Sequence, residues 1–362
     1  MPKKLKIILI NLSILLIGLL LIELIFGGWF NANNQLSNIG ILRDVKLEYT
    51  VNHLYETDQP TITYTRDSYG LRGISTFNEP SKIDILTVGG STTDQRYIDD
   101  AKTWQEALER ALSQEKETWL VSNAGVDGQS TYGHLKSFEL WFSNIEKLQP
   151  EMIFFYVGIN DFYKVSSDAK YDAIQQYEHA GLKNTIKDKS VLYNVYRKLK
   201  GIRKAQKVKV GHFKVDFSAT KYTQEEVLDS TLLALYDEKN LKAFKVRVQQ
   251  LIAYSKKMRA IPIFITQPTF LYKIENGEVF GVENINYIEE KYAYNGVGYY
   301  KLLTKLNDAI KEAASDFPVI DISSEDDWQP EDFYDYYHMT EAGAAKLGKK
   351  IYQKMTQIEL VK

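Results

Sequence analysis

The chain has 362 residues, with 45 Lys and Arg against 47 Asp and Glu, for a formal net charge of −2. Hydrophobic residues make up 44% and charged residues 25%, a balance that excludes a wholly disordered, collagen-like or coiled-coil protein, and the near-zero charge argues against a dedicated nucleic-acid binder. The absence of cysteine excludes disulfides, zinc ribbons, thiol nucleophiles and lipid attachment through an N-terminal Cys.

In chain order, residues 1–6 form a short basic tail carrying Lys3, Lys4 and Lys6. Ile7 to Phe26 is a 20-residue apolar run broken only by Asn11, Ser13 and Glu23. At about 1.5 Å per residue it spans roughly 30 Å, the thickness of a bilayer's hydrocarbon core. No Lys or Arg follows until Arg43, so the positive-inside rule keeps the N-terminus cytoplasmic and sends the rest across. A cleaved signal peptide is the competing reading. Its apolar region is usually shorter and ends in an A-x-A site, which is missing here, although Gly27-Gly28 leaves a place to cut. The expected organisation is a transmembrane signal-anchor over 7–27, a polar stalk over 28–50 and an exported domain over 51–362. Glu23 sits near the outer end of the anchor, where its carboxylate reaches the interface.

From Lys82 onward two kinds of segment alternate. Short apolar runs predict buried strands at Ile83–Val88, Trp119–Ser122, Met152–Val157, Ile261–Thr266 and Val319–Ile322. Helical spacing predicts helices at Trp104–Leu112, Leu135–Leu148, Leu241–Met258, Tyr299–Ala314 and Glu341–Met355. This alternation gives an α/β fold, a three-layer α/β/α sandwich around a parallel five-stranded sheet. Ligands of such sheets sit beyond the carboxyl ends of the strands, so chemistry is expected just after each apolar run. One stretch, about 163–239, breaks the rhythm and is too long for an ordinary loop. It predicts a helical insertion whose basic segment, from Lys198 to Lys214, is either a solvated face or a grip on an anionic polymer or lipid head group.

Four strand ends carry chemistry-bearing residues. The first reads Val88-Gly89-Gly90-Ser91-Thr92-Thr93, where glycines let the backbone turn sharply and leave the Ser91 hydroxyl clear. A Gly-Ser turn that merely caps a helix has the same appearance. The second, Asn123-Ala124-Gly125-Val126-Asp127-Gly128, places a glycine whose N–H serves either an oxyanion hole or a structural turn. The third, Gly158-Ile159-Asn160-Asp161, offers the Asn160 amide as a second donor, or a plain Asn-Asp turn. The last, Asp335-Tyr336-Tyr337-His338, puts a carboxylate three residues before a histidine, where it fixes the ring tautomer and frees the other nitrogen to take a proton from a hydroxyl. The five histidines, His53, His134, His179, His212 and His338, show no metal-ligand spacing, and no metal centre is expected.

These residues resemble the four blocks of the SGNH hydrolases, the GDSL esterase/lipase superfamily. The matching positions are Ser91 in GGSTT, Gly125 in NAGVDG, Asn160 in GIND and His338 in DYYH, with Asp335 as the acid of D-x-x-H. The family usually has Asp before its serine, where this chain has Gly90. The resemblance implies a flavodoxin-like sandwich and a catalytic triad of Ser91, His338 and Asp335, with an oxyanion hole from Ser91, Gly125 and Asn160 and no cofactor. The segment Arg66 to Gly73 is similar to a lead-in of membrane-tethered bacterial members, some of which acylate or deacylate cell-surface polysaccharides. Trp104 is expected in the core. Asp161 is expected to hold its loop, with substrate contact as the sharper alternative, and Tyr336 and Tyr337 are candidates to line the acyl or sugar site. The expected function is an extracytoplasmic, membrane-anchored serine esterase or O-acyltransferase acting on acetylated carbohydrate, with a place in polysaccharide-modification machinery. The alternatives are a lipase or thioesterase working on acyl lipids and a non-catalytic assembly subunit.

Overall fold

The computed structural model describes residues 2–30, 36, 39–74, 79–113, 118–162, 164–165, 172, 186, 189–193, 195–196, 212–285 and 292–361. They group into two units, 1–40 with 175–211 and 41–174 with 212–362. In the first unit, α1 (Lys3–Phe26) is a continuous helix with no buried residue, long and apolar enough to cross a membrane. Most of the expected basic segment, residues 198–211, lies outside the described residues.

The second unit opens with an antiparallel pair, β1 (Val45–Thr50) and β2 (Thr61–Arg66), in a register that sets Val45 opposite Arg66. β1 falls within the stretch expected as stalk. Its Val-Lys-Leu-Glu-Tyr-Thr alternation turns Leu47 inward and leaves Lys46 and Glu48 exposed, so folded structure begins before residue 51. The remaining elements are β3 (Ile85–Gly89), α2 (Ser91–Asp94), α3 (Trp104–Leu112), β4 (Val121–Asn123), α4 (Thr131–Leu140), β5 (Met152–Tyr156), β6 (Tyr222–Thr223), α5 (Ser230–Ala234), α6 (Glu238–Lys257), β7 (Ile261–Ile265), β8 (Tyr272–Glu275), β9 (Glu278–Val282), α7 (Gly296–Ala313), β10 (Val319–Ile320) and α8 (Glu341–Gln357).

The five expected apolar runs form one parallel sheet in the order β10-β7-β5-β3-β4. Side chains alternate across it. On β5, Tyr156 meets Trp104 of α3 edge-on at 5.7 Å, while its neighbour Phe155 faces Phe138 of α4 at 6.0 Å. Adjacent residues on a strand point to opposite faces, so α3 and α4 cover opposite sides and the fold is a three-layer sandwich. α8 packs on α3, and α6 packs on both α4 and α7. Helix starts are set by side-chain caps: Thr103, Asp237, Asn295 and Thr340 accept bonds from the backbone N–H of Glu106, Asn240, Gly298 and Gly343.

α4 ends at Leu140, short of the expected Leu148. Ser143 Oγ and Asn144 Nδ2 bond the carbonyls of Glu139 and Leu140, and the chain tightens into a 3-10 turn at Phe142–Asn144. Residues 212–239 belong to the second unit, where β6, β9 and β8 form a small antiparallel sheet.

Candidate active site

The parallel sheet presents its strand ends along one edge. β3 ends at Gly89, so Ser91 opens α2 immediately beyond it. β5 ends at Tyr156, and Asn160 follows in the turn Ile159–Asp161. His338 lies in the loop before α8. The fold brings these residues together: His338 Nε2 is 2.8 Å from Ser91 Oγ, and His338 Nδ1 is 2.7 Å from Asp335 Oδ2. Asp335 is buried and held in place by its own turn, accepting from the backbone N–H groups of Tyr337 at 2.9 Å and His338 at 2.7 Å.

Burial of the His338 ring disfavours its charged form. The charge and hydrogen bond of Asp335 outweigh that, with Asp127 adding to them, so the imidazole is raised above its ordinary value of 6.5. The ring also stacks on Tyr334, with planes 11° apart.

Gly90 faces Asn160 closely. A Cβ at residue 90 would come within 1.9 Å of Asn160 Nδ2, so the departure from Asp at this position gives the amide its place beside Ser91. Asn160 Nδ2 currently donates to the Gln129 carbonyl at 2.8 Å. Gly125 differs from expectation. Its N–H does not stand free but donates to Asn123 Oδ1 at 2.8 Å. What demands a glycine there is packing, because a Cβ would meet the Asp94 backbone nitrogen at 2.2 Å.

Of the three residues considered for substrate contact, Asp161 takes its expected loop-holding place and Tyr336 is corrected. Asp161 is fully buried: its carboxylate accepts from Thr131 Oγ1 at 2.6 Å and lies 3.7 Å from Arg247. Burial pushes its carboxyl up to about 6 against the pull of Arg247, so it holds a loop and is closed to substrate. Tyr336 is buried against Phe217. Tyr337, which points the other way, is half-buried and lines the cavity beside Ser91 and His338. Trp104 is fully buried, as expected for a core residue.

The lead-in segment braces the serine turn. Arg66, only 3% exposed, donates to Asp94 Oδ1 at 2.7 Å, to Tyr64 Oη and Gly70 O at 2.6 Å, and to the Gly125 carbonyl. Arg72, equally buried, donates to the carbonyls of Asp94, Gln95 and Ile98 and pairs with Asp100. Burial works against the Asp94 carboxylate, but Arg66, Arg96 and Arg72 together hold its carboxyl below the usual range.

His212 was not singled out from sequence. Its ring centroid lies 4.1 Å from that of His338, and its Nδ1 is 2.7 Å from Tyr334 Oη. Burial, then the charges of His338 and Arg96, push it down to about 2, so it stays neutral. Donor atoms of His212, Asp335 and His338 lie within 4.8 Å of one another. In this structure Asp335 and His338 hold each other, and His338 also holds Ser91.

The model of the GDSL-like lipase/acylhydrolase family matches residues 87–346, which contain every one of these strand ends. The chain belongs to that family. This GDSL-like acylhydrolase is an enzyme of the ester- and acyl-hydrolysing class. Among solved structures it is similar to a GDSL-like lipase from Bacteroides thetaiotaomicron, with 11% identity, coverage of 80% of this chain and 93% of that one, and a TM-score of 0.37. It is similar to the psychrotrophic esterase EstA from Pseudoalteromonas, with 10% identity, coverage of 77% and 100%, and a TM-score of 0.38. It is also similar to a mutant acetyl-xylooligosaccharide esterase from Geobacillus, with 12% identity, coverage of 75% and 93%, and a TM-score of 0.40. No curated protein matches the chain.

Proposed function

We propose that this GDSL-like acylhydrolase is a membrane-tethered serine enzyme that transfers short acyl groups, acetyl above all, from esters of cell-surface carbohydrate. The carrying observation is the continuous hydrogen-bonded line from Ser91 Oγ through His338 to Asp335, at 2.8 and 2.7 Å. His338 Nε2 takes the proton as Ser91 Oγ bonds to the ester carbonyl carbon, and Asp335 stabilises the imidazolium. The oxyanion is met by the Ser91 N–H and by Asn160 Nδ2, which leaves the Gln129 carbonyl to reach it. His338 then protonates the departing alcohol oxygen as the carbon–oxygen bond breaks, leaving an acyl-serine. Water, or a sugar hydroxyl deprotonated by the same histidine, releases the acyl group and restores Ser91.

Size supports a short acyl chain. The cavity bounded by Ser91, His338, Tyr156, Tyr334, Tyr337 and Met339 holds about 10 Å³, room for roughly one water-sized group. That close fit at the serine suits a small acyl group. A separate cleft of about 280 Å³ supports a carbohydrate alcohol. Half-buried Phe217, Tyr222 and Trp328 line it beside Glu325, Asp326 and Gln329, a mixture suited to the apolar faces and hydroxyls of sugar rings. It borders the catalytic loop, because Phe270, which also lines it, donates its N–H to the Tyr336 carbonyl at 2.9 Å. Export of the catalytic unit is supported by Lys3, Lys4 and Lys6 ahead of the apolar helix.

The test is p-nitrophenyl ester turnover across chain lengths, with acetate release from acetylated oligosaccharides measured beside it. The reading expects acetate to be the best acyl group, a steep fall by octanoate, and release from the acetylated sugar. A rate that rises with chain length overturns it.

A further inference from the structure

The first unit holds a contact between two segments far apart in sequence. Glu23, in the last turn of α1, accepts from the backbone N–H of Val191 at 2.9 Å and of Leu192 at 3.4 Å. The Ser190 hydroxyl accepts from Tyr193 N at 3.0 Å and completes the same helical turn. A second close approach lies two residues beyond the end of α1, where a Cβ on Gly28 would sit 3.8 Å from Lys189 Cα. The segment at 189–193 is therefore fixed at the level of residues 23–28.

That level has a physical meaning. The apolar run ends at Phe26, three residues after Glu23. At about 1.5 Å per residue, Glu23 lies roughly 5 Å inside the outer end of a span matched to the hydrocarbon core. A carboxylate at that depth is unfavourable without partners, and two backbone N–H groups supply them. The segment that brings those partners carries large apolar side chains with much of their surface exposed: Ile186 and Leu192 are each 37% exposed, Val195 is 50% and Tyr196 is 58%. Tyr193 and Tyr196 lie with ring centroids 6.3 Å apart, and Trp29 follows the anchor directly. Tyrosine and tryptophan favour the membrane–water boundary.

We propose that the turn at 189–193, with Val195 and Tyr196 beyond it, is an interfacial membrane element, whose Leu192, Val195 and Tyr196 side chains enter the outer edge of the bilayer that α1 crosses. The occupant of this apolar face is lipid. The proposal rests on the reading of α1 as a membrane anchor and extends it, giving the exported part a second hold on the same surface. It also gives Glu23 a role, as the carboxylate that docks the interfacial turn onto the anchor.

Because the chain has no cysteine, single-cysteine labelling is clean. The full-length protein is prepared as Leu15→Cys, Val195→Cys, Tyr196→Cys and Lys349→Cys, each carrying an NBD fluorophore. Each is placed in nanodiscs of phosphatidylcholine and phosphatidylglycerol with spin-labelled lipid. Leu15 lies mid-anchor, and Lys349 is exposed on α8. The expected result is quenching at 15 by deep-labelled lipid, a blue shift at 195 and 196 with quenching by shallow-labelled lipid, and neither at 349. Quenching at 15 with emission at 195 and 196 like that at 349 overturns the proposal and leaves the anchor standing. A blue shift at 195 and 196 without lipid quenching also overturns it, since protein then covers the face. No quenching at 15 removes the anchor and the proposal together.

Discussion

Arg66→Met tests whether the lead-in segment supports the serine turn. Arg66 and Asp94 form a pair that is 3% and 1% exposed, and the guanidinium also satisfies Tyr64, Gly70 and Gly125. Removing it leaves the Asp94 carboxylate buried, with Arg96 at 3.5 Å and the more distant Arg72 as its remaining cations and the Tyr64 hydroxyl at 2.8 Å. Breaking a buried pair from one side destabilises by about 3–5 kcal/mol, since one charge stays behind uncompensated. For a domain of this size that corresponds to a fall in melting temperature of roughly 5–8 °C. Asp94 ends α2, and Gly125 packs on its backbone, so the loss also displaces Ser91. A misplacement near 1 Å lowers kcat/KM on the order of 10²-fold. Arg66→Lys keeps the charge without the planar fork and recovers part of both losses. The assay is thermal unfolding of the full-length protein in detergent at pH 7, paired with p-nitrophenyl acetate turnover. A melting temperature within about 1 °C of the parent, with unchanged turnover, refutes the bracing argument.

The kcat/KM profile is expected to rise with pH through an acid limb above 6.5, because the proposed general base His338 takes its proton when neutral and its folded value is raised. A limb below 6.5 contradicts the Asp335 contribution. His212→Ala admits water to the His338 ring, relieves the burial that disfavours its charge, and moves the limb to still higher pH, whereas His212→Phe keeps the ring covered and moves it less; an unmoved limb in both removes His212 from the site. Asn160→Ala lowers kcat by about 10²–10³-fold with little change in melting temperature if its amide meets the oxyanion. Gly90→Ala, whose new methyl meets Asn160 Nδ2, lowers kcat in the same direction, and normal turnover in that variant shows that the amide does not work from its present place.

The sheet was legible in the sequence because parallel strands covered on both faces are continuous apolar runs, as Met152–Tyr156 and Ile261–Ile265 are. Strands with one wet face were not. β1 alternates charged and apolar residues over only six positions, which is easily taken for a polar linker. Ser91, Asn160, Asp335 and His338 could be placed together because each follows a strand or precedes a helix, and strand ends of a parallel sheet share one edge. Side-chain direction within those loops was not legible. Tyr336 and Tyr337 are neighbours that point to opposite sides, one buried against Phe217 and one facing the cavity. The direction of the Gly125 N–H is decided by the Asn123 side-chain oxygen, Oδ1, two residues earlier. His212 reaches the site through a partner 122 residues away, Tyr334, and no local pattern announces such a contact. The arginines at 66 and 72 are the reverse case, since buried cations within an alternating strand and its turn are a visible anomaly whose meaning appears only once Asp94 is placed beside them.

The most direct test of the account is turnover of p-nitrophenyl acetate by the full-length protein and its Ser91→Ala variant, with melting temperatures compared in parallel. The acyl-serine mechanism predicts a loss on the order of 10⁴–10⁶-fold in kcat with unchanged stability. Equal turnover by the two proteins would contradict it, and would place the nucleophile elsewhere in the molecule.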